Sequence, residues 1–139
     1  MNAAAMYQEI IMDCYRNPKN FGHLDHHDIK ARDVNPSCGD VIEIQIQVDK
    51  DAKTIKDIRF SGQGCAISQA AMSMLSEKAM GQPLESVANL KKADVLEMLG
   101  IEISMMRLKC ALLGLKVLKT GVYDYLGQPV DGSEEVYGN

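Results

Sequence analysis

The segment "NPSCGD" (residues 35–40) places a cysteine and an aspartate where both side chains can face the same ligand. Pro36 fixes its own φ angle, and Gly39 permits backbone angles that other residues avoid, so Cys38 and Asp40 lie on a tight turn. A turn of this composition also occurs without any ligand. The segment alone therefore leaves an ordinary turn and a metal or sulfur site equally open.

Two further cysteines fall near predicted ends of helices. Cys65 lies in the glycine-rich segment "SGQGCAIS", where a strand gives way to a helix, and Cys110 lies in the predicted first turn of the last helix. A helix N-terminus offers unpaired N–H groups and the positive end of the helix dipole, and both favour a thiolate over a thiol. Each of these cysteines taken alone is better explained as a small core residue, so the case for function rests on the set.

Taken together, Cys38, Asp40, Cys65 and Cys110 form a candidate set of three sulfur ligands and one oxygen ligand. Thiolates select zinc, Cu(I) or iron-sulfur clusters over magnesium or calcium. The spacing differs from that of a zinc finger, because one pair is close and the other two ligands come from far along the chain. We expect such a site to form only in the folded protein and to lie near its surface. One carboxylate in place of a fourth thiolate predicts a cluster that is easily released.

Other residues of metal-binding type are assigned differently. Cys14 shares the apolar face of the first predicted helix with Ile10 and Ile11, which indicates a buried structural thiol. The segment "HLDHH" offers a competing metal site, but adjacent histidines in a polar loop usually point in different directions; its ligand types are His23, Asp25, His26 and His27. Six methionines at mostly helical spacing are interpreted as core residues in preference to a copper site: Met72, Met74, Met80, Met98, Met105 and Met106.

Length and composition predict one domain. The chain has 139 residues, of which 46% are apolar, and this is enough for a core without disulfides or structural zinc. The net charge of -4 and the absence of a basic cluster argue against a nucleic-acid partner. No signal sequence or apolar run of about 20 residues is present, so we expect a cytoplasmic protein without a membrane anchor. Four cysteines in that reducing compartment indicate metal or redox chemistry before disulfides.

The elements that must position the candidate ligands follow from hydrophobic periodicity. An amphipathic helix from Met6 to Tyr15 ends before Pro18 and Gly22, and residues 23–34 form a loop that leads into a short edge strand. Two strands then form an antiparallel hairpin, and helices complete the chain. The strands cover 41–49 and 54–62; the helices run from Cys65 to Gly81, as one or two short helices over 83–100, and over 107–119 with a stop at Gly121.

This order predicts an α+β fold with a small antiparallel sheet of about three strands, packed with the N-terminal helix and several C-terminal helices. A single domain is predicted over residues 1–139, with flexible ends at 1–5 and 126–139.

The motifs together resemble the family of iron-sulfur cluster assembly scaffolds that comprises IscU, SufU and the N-terminal domain of NifU. Four segments carry the resemblance in the family's order, over nearly the whole chain: "YRNPKNFG", "NPSCGD", "IRFSGQGCAIS" and "RLKCALL". The resemblance implies that Cys38, Asp40, Cys65 and Cys110 hold a transient [2Fe-2S] cluster or a zinc ion. It also implies that a cysteine desulfurase delivers sulfur as a persulfide, with Cys38 and Cys110 as possible acceptors, and that apo iron-sulfur proteins receive the cluster.

The chain departs from both named subfamilies. Lys109 stands where typical IscU proteins have a histidine, and "EISMMRLKC" lacks the proline of the segment that a dedicated Hsp70-type chaperone binds. These departures argue against that chaperone as a partner, and they favour Asp40 as the fourth ligand because a lysine is normally protonated. "RLKC" is similar to SufU, whereas the short spacing between Cys65 and Cys110 is similar to IscU.

Two functions therefore stay open. The first is a scaffold that assembles a [2Fe-2S] cluster and transfers it without turnover of its own. The alternative, implied by the resemblance to SufU, is a zinc-dependent sulfurtransferase that accepts persulfide sulfur. In either case Arg107 and Lys109 are interpreted as cations that stabilise the ligands or, equally, as two solvated charges.

Overall fold

A three-stranded antiparallel sheet forms one layer of the protein in the computed structural model, which describes residues 3–127. The strands follow one another in the sheet in chain order: β1 (Ile29–Asn35), β2 (Asp40–Asp49) and β3 (Thr54–Gln63). The helices of the described residues are α1 (Ala3–Arg16), α2 (Ala66–Ala79), α3 (Leu84–Ala88), α4 (Lys92–Leu99) and α5 (Met105–Leu126). The predicted α+β class and the three-stranded sheet are confirmed.

The inner face of the sheet is built by the alternating isoleucines of β2. Ile42, Ile44 and Ile46 are fully buried, because their side chains all point to the side that α2 and α5 cover. Gln45 points to the other face and is nevertheless buried, since its Oε1 accepts a hydrogen bond from the N–H of Leu24 at 2.7 Å. The loop before β1 therefore covers part of the face that the sequence pattern predicts to be wet.

The last helix is longer than predicted at both ends. It continues through Gly121 to Leu126, whereas a stop at Gly121 was expected. An added Cβ at Gly121 would lie 2.9 Å from Cγ2 of Ile29, so the glycine allows α5 to approach the sheet closely and does not end the helix. The helix also begins at Met105, which places Cys110 in its second turn instead of the predicted first turn.

The other helix boundaries agree better with the sequence. Cys65 caps α2, and Gly81 follows the helix with a φ of 78°, as predicted. Of the two ends predicted to be flexible, residues 3–5 belong to α1, Leu126 ends α5 and Gly127 caps it. Residues 1, 2 and 128–139 lie outside the described part of the chain. No helix within residues 3–127 combines the length and apolar character required to cross a membrane.

The segment "YRNPKNFG" anchors the end of α1 to the rest of the fold. The N–H of Lys19 donates to Oγ of Ser73 at 2.8 Å, and Asn20 donates to Oγ of Ser76 at 3.0 Å. The ring of Phe21 packs edge-on against Phe60 with 5.3 Å between the ring centroids. This part of the resemblance motif therefore holds α1 against α2 and β3.

Candidate metal centre

The hairpin between β1 and β2 presents the first two candidate ligands. The carbonyl of Asn35 accepts hydrogen bonds from the N–H groups of Cys38 at 3.2 Å and Gly39 at 2.8 Å, and Gly39 has a φ of 73° that favours glycine. Cys38 is exposed at the tip of this turn, whereas Asp40 is fully buried at the start of β2. The turn therefore leaves Cys38 at the surface and directs the carboxylate of Asp40 inward.

The junction of β3 and α2 adds the third ligand. The N–H of Cys65 donates to Oδ1 of Asp40 at 2.8 Å, and Sγ of Cys65 lies 3.5 Å from Oδ2 of the same carboxylate. Gly64 precedes the cysteine with a φ of 141°, and a Cβ added there would lie 2.1 Å from Oδ1 of Asp40. A side chain at position 64 would therefore displace the carboxylate. As the cap of α2, Sγ of Cys65 also accepts a hydrogen bond from the N–H of Ser68 at 3.5 Å.

The last helix supplies the fourth ligand. Cys110 is only 2% exposed, and its Sγ lies 2.9 Å from Sγ of Cys38. All four cysteines are free, and 2.9 Å is well beyond the roughly 2.05 Å of a disulfide bond. Ligand atoms of Cys38, Asp40 and Cys110 lie within 4.8 Å of one another. Cys65 is outside this group and lies beside it, with its Sγ 3.5 Å from Oδ2 of Asp40. The structure thus brings three of the four candidate residues within reach of one ion and places the fourth next to Asp40.

The electrostatics of Cys110 differ from the expectation for a helix N-terminus. Burial raises the pKa of the Cys110 thiol far above its usual range, and hydrogen bonds with Cys38 and Asp40 and the negative charges of Cys65 and Asp40 raise it further. The predicted stabilisation of a thiolate by the helix end is wrong for this residue, because burial and the neighbouring acidic groups raise the pKa of its thiol. Cys110 also lies one turn further along the helix than predicted. A cation that binds at this position has to replace the proton.

Asn35 is a residue of the centre that sequence reasoning did not single out. Its side chain is buried, and Nδ2 lies 3.6 Å from Sγ of Cys38 and 3.6 Å from Sγ of Cys110. Its Oδ1 accepts a hydrogen bond from the N–H of Ser37 at 3.2 Å, which is an Asx turn. The signal that could have identified it is an asparagine at the start of a tight turn, where its side-chain oxygen can accept a hydrogen bond from the N–H two residues later.

The competing candidates do not form a second centre. His23, Asp25, His26 and His27 are all exposed, and within residues 3–127 they do not converge on one point as the cysteine group does. Cys14 is half-buried against the hydrophobic core, away from the other thiols, and burial raises its pKa.

The methionines divide into two groups. The interpretation as core residues is confirmed for Met72, Met74, Met80 and Met98, which are buried or packed against the core. It is wrong for Met105 and Met106, which are 88% and 89% exposed at the start of α5.

Arg107 and Lys109 are both exposed. In the described part of the chain, no hydrogen bond or ion pair joins either of them to the three thiols or to Asp40. Arg107 instead lines a cavity of about 490 Å³ between α1 and the segment before α5, next to Ala66 and Ile67 at the start of α2. The interpretation as solvated charges agrees with this placement.

The donor set fits a thiophilic metal. Three sulfur atoms and one carboxylate give the four ligands that a tetrahedral zinc or an iron-sulfur cluster requires. Two donors are exposed or half-exposed, so the centre is reachable from one side. Comparison with known proteins then decides the family.

Residues 6–131 match the family model of the NifU-like N terminal domain. The chain belongs to this family. It is 35% identical over 120 residues to the iron-sulfur cluster assembly scaffold protein IscU of Aquifex aeolicus, which covers 86% of this chain and 76% of that protein. It is 31% identical over 138 residues to the zinc-dependent sulfurtransferase SufU of Bacillus subtilis, with 87% of this chain and 92% of that protein covered.

Solved structures support the same assignment. The crystal structure of a putative iron-sulfur cluster assembly scaffold protein for the SUF system from Fervidobacterium islandicum superimposes with a TM-score of 0.73 at 25% identity. The match covers 87% of this chain and 99% of that one. The predicted family is therefore confirmed, and the match to both IscU and SufU agrees with the mixed features of the sequence.

Proposed function

We propose that this member of the NifU-like N terminal domain family is an assembly scaffold, on which iron and sulfide are combined into a [2Fe-2S] cluster that is passed to apo-proteins. The observation that supports the proposal is the convergence of Cys38, Asp40 and Cys110 at one partly open centre, with Cys65 in contact with Asp40. Relatives named as iron-sulfur cluster assembly scaffolds, including IscU of Escherichia coli at 34% identity over 122 residues, support it. In this proposal the cluster is cargo.

Sulfur enters at the exposed side of the centre. A cysteine desulfurase carries the sulfur as a persulfide, and Cys38 is the exposed thiol of the set. The thiolate of Cys38 attacks the outer sulfur of that persulfide, a new S–S bond forms on Cys38, and the thiolate of the desulfurase leaves. Two electrons per sulfur, from ferrous iron and an added thiol reductant, then break that S–S bond, which releases the sulfide of the cluster and restores the Cys38 thiolate. Cys110 is buried behind Cys38, so Cys38 is the first acceptor.

Asp40 makes the cluster releasable. A carboxylate is a hard ligand on a soft iron-sulfur unit, and it is the weakest bond of the proposed set. Because Asp40 is buried while Cys38 is exposed, ligand exchange at Asp40 requires the Gly64–Cys65 junction to move. The proposed recipients are apo iron-sulfur proteins, and the reducing cytoplasm is the compartment in which we expect this chemistry.

A second candidate function is zinc-dependent sulfur transfer. It is favoured by the similarity to SufU and by "RLKC" before the last ligand. Cys38, Asp40, Cys65 and Cys110 would hold the zinc, which would supply a positive charge that stabilises thiolates. Cys38 would again be the acceptor, because it is the thiol that a partner can reach.

Anaerobic reconstitution separates the two functions. The wild-type protein is incubated with iron, cysteine and a desulfurase, and its visible spectrum is followed before an apo-ferredoxin is added. We expect a protein-bound chromophore that transfers to the ferredoxin, and no stable chromophore in Cys65→Ala. The matched control is Cys14→Ala, which should behave as wild type. Accumulation of persulfide on Cys38 without a chromophore would replace the scaffold by the sulfurtransferase.

A further inference from the structure

The side-chain amide of Asn35 contacts two of the candidate ligands at once. Nδ2 lies 3.6 Å from Sγ of Cys38 and 3.6 Å from Sγ of Cys110. These distances are suitable for N–H···S hydrogen bonds, which are longer than N–H···O bonds because sulfur is larger. Asn35 therefore spans two thiols that are 72 residues apart in the sequence.

The orientation of this amide is fixed by its other contact. The N–H of Ser37 lies 3.2 Å from Oδ1 of Asn35, and a backbone N–H can only donate. The atom that faces Ser37 must therefore be the oxygen, and the NH₂ group must face the sulfur atoms. The two hydrogens of the NH₂ group then match two acceptors.

Two sulfur acceptors are what metal binding produces. A free thiol pair retains protons on sulfur, whereas two metal-bound thiolates accept hydrogen bonds and donate none. Hydrogen bonds to charged acceptors are stronger than those between neutral groups, so the NH₂ group favours the pair in its metal-bound form. Asn35 is also only 6% exposed, so water does not readily replace it as the donor.

The neighbouring elements explain why such a residue is needed. Cys38 is exposed on a turn, and Cys110 is buried in a helix, so only Cys110 has a position fixed by packing. Cys65 has a separate donor, the N–H of Ser68 at the start of α2. Within the described residues, the side chain that donates to both Cys38 and Cys110 is that of Asn35.

We propose that Asn35 is a positioning residue that holds Cys38 against Cys110 and stabilises both as metal-bound thiolates. This inference rests on the proposed function, because it assumes that the four residues bind metal. It adds a residue outside the ligand set and predicts that the edge formed by Cys38 and Cys110 is retained while the edge formed by Asp40 and Cys65 opens. The same donors would tune the sulfur ligands of a bound cluster.

Two substitutions separate hydrogen bonding to sulfur from support of the turn. Asn35→Ser keeps an oxygen that can accept from the N–H of Ser37, as serine does in the related ST turn, but it is too short to reach the thiols. Asn35→Ala removes both functions. Zinc affinity of the purified full chain is measured by competition with a chromophoric chelator, and circular dichroism verifies that each variant is folded.

We expect both variants to lose about 10- to 100-fold in zinc affinity, because groups that orient metal ligands typically contribute this much. Asn20→Asp is the matched control, since it removes an amide donor to Ser76 on the other end of α2 and should leave zinc affinity unchanged. Wild-type affinity in Asn35→Ser with a loss only in Asn35→Ala would show that the turn alone matters and would overturn the proposal.

Cobalt(II) supplies a readout that a purely structural role would not change. Hydrogen bonds lower the energy of the sulfur lone pairs, so their loss should move the sulfur-to-cobalt charge-transfer bands of Asn35→Ser to longer wavelength. Unshifted bands in a folded variant would contradict the proposal even if zinc affinity fell. Failure of the wild type to bind zinc or cobalt at all is a different result, which would overturn the proposed function and this inference with it.

Discussion

The sulfur atoms of Cys38 and Cys110 are in contact, but the two residues lie in opposite environments. Both belong to the single group of converging metal-ligand side chains found within residues 3–127. Cys38 is exposed on a four-residue turn that local hydrogen bonds hold, whereas Cys110 is buried in a long helix that packs on the sheet. Cys38 is accessible to another protein, whereas Cys110 is held in place by the packing of α5. Accessibility to a partner and fixation by packing therefore belong to two different residues whose sulfur atoms are in contact.

Removal of each thiol in turn tests whether Cys38 and Cys110 differ in this way. We expect Cys38→Ala and Cys110→Ala both to lose stoichiometric zinc, because each removes a ligand. Only Cys110→Ala should also lower the free energy of unfolding of the metal-free protein, by about 0.5–3 kcal/mol, since its side chain is buried in the fold. Metal analysis and urea denaturation in the presence of a chelator give the two quantities.

Cys14→Ala is the matched control for that pair. Cys14 packs against the hydrophobic core away from the centre, so its loss should cost stability and leave metal content intact. Loss of zinc in the Cys14 variant, or an unchanged metal content in Cys110→Ala, would show that the thiols are wrongly divided between core and centre.

Two glycines next to the candidate ligands differ in the space around them. Both Gly39 and Gly64 have positive φ angles, but an added Cβ meets nothing within 4 Å at Gly39 and lies 2.1 Å from Oδ1 of Asp40 at Gly64. We expect Gly39→Ala to cost about 1–2 kcal/mol of unfolding free energy from backbone strain alone, with zinc retained. Gly64→Ala should cost more and should also reduce zinc content, because the carboxylate must move. Equal effects of the two changes on zinc would contradict this description.

Asp40 tests the release side of the centre. Replacement by alanine leaves the N–H of Cys65 without its acceptor, which costs about 1–3 kcal/mol of unfolding free energy. Handover of a reconstituted [2Fe-2S] cluster to an apo-ferredoxin should become several-fold slower, since the labile ligand through which exchange begins is gone. Stopped-flow absorbance during transfer measures the rate, and faster handover would mean that Asp40 retains the cluster instead of releasing it.

The smallest effect concerns pH. The pKa of Cys110 is raised in the folded protein, so below about 9.0, the ordinary value, both states hold the proton and the contribution to stability is complete. Above that value the unfolded chain loses its proton first, so stability of the metal-free protein should fall, by at most about 1.4 kcal/mol per pH unit. Urea denaturation between pH 7 and 10 measures this slope.

The same proton gives zinc binding the opposite dependence on pH. Because the metal displaces the proton of Cys110, apparent zinc affinity should rise as the pH rises.

Cys110→Ala is the control for the measurement of stability against pH, since its curve should be flatter than that of the wild type. Parallel curves for the two proteins would remove Cys110 as the cause.

The sequence predicts the fold more fully than the geometry of the centre. The alternation of Ile42, Ile44 and Ile46 is a local feature of the sequence, and so is the presence of a glycine on either side of α2. These elements are therefore recognised from the sequence. The helix stop predicted at Gly121 was wrong, because this glycine makes room for the side chain of Ile29 on a distant strand. Such a contact has no local signature in the sequence.

The centre divides in the same way. The turn that carries Cys38 and Asp40 is visible in six residues, but the contact of Cys38 with Cys110 joins positions 72 residues apart. The shift of Cys110 into the second turn of α5 depends on where the helix begins. The rise of its pKa depends on burial and on neighbours that only the folded chain brings near. Asn35 was missed because its amide faces a cysteine that only the folded chain brings near.

The distance along the chain between these ligands has a thermodynamic consequence. An unfolded chain cannot present Cys38, Cys65 and Cys110 together, so a metal that binds all three binds only the folded form. By mass action, free zinc at about 100 times its dissociation constant would then add about 2.7 kcal/mol to the free energy of unfolding. A chelator would act on the loaded protein as a mild denaturant, and handing over the cargo would return the scaffold to its least stable form.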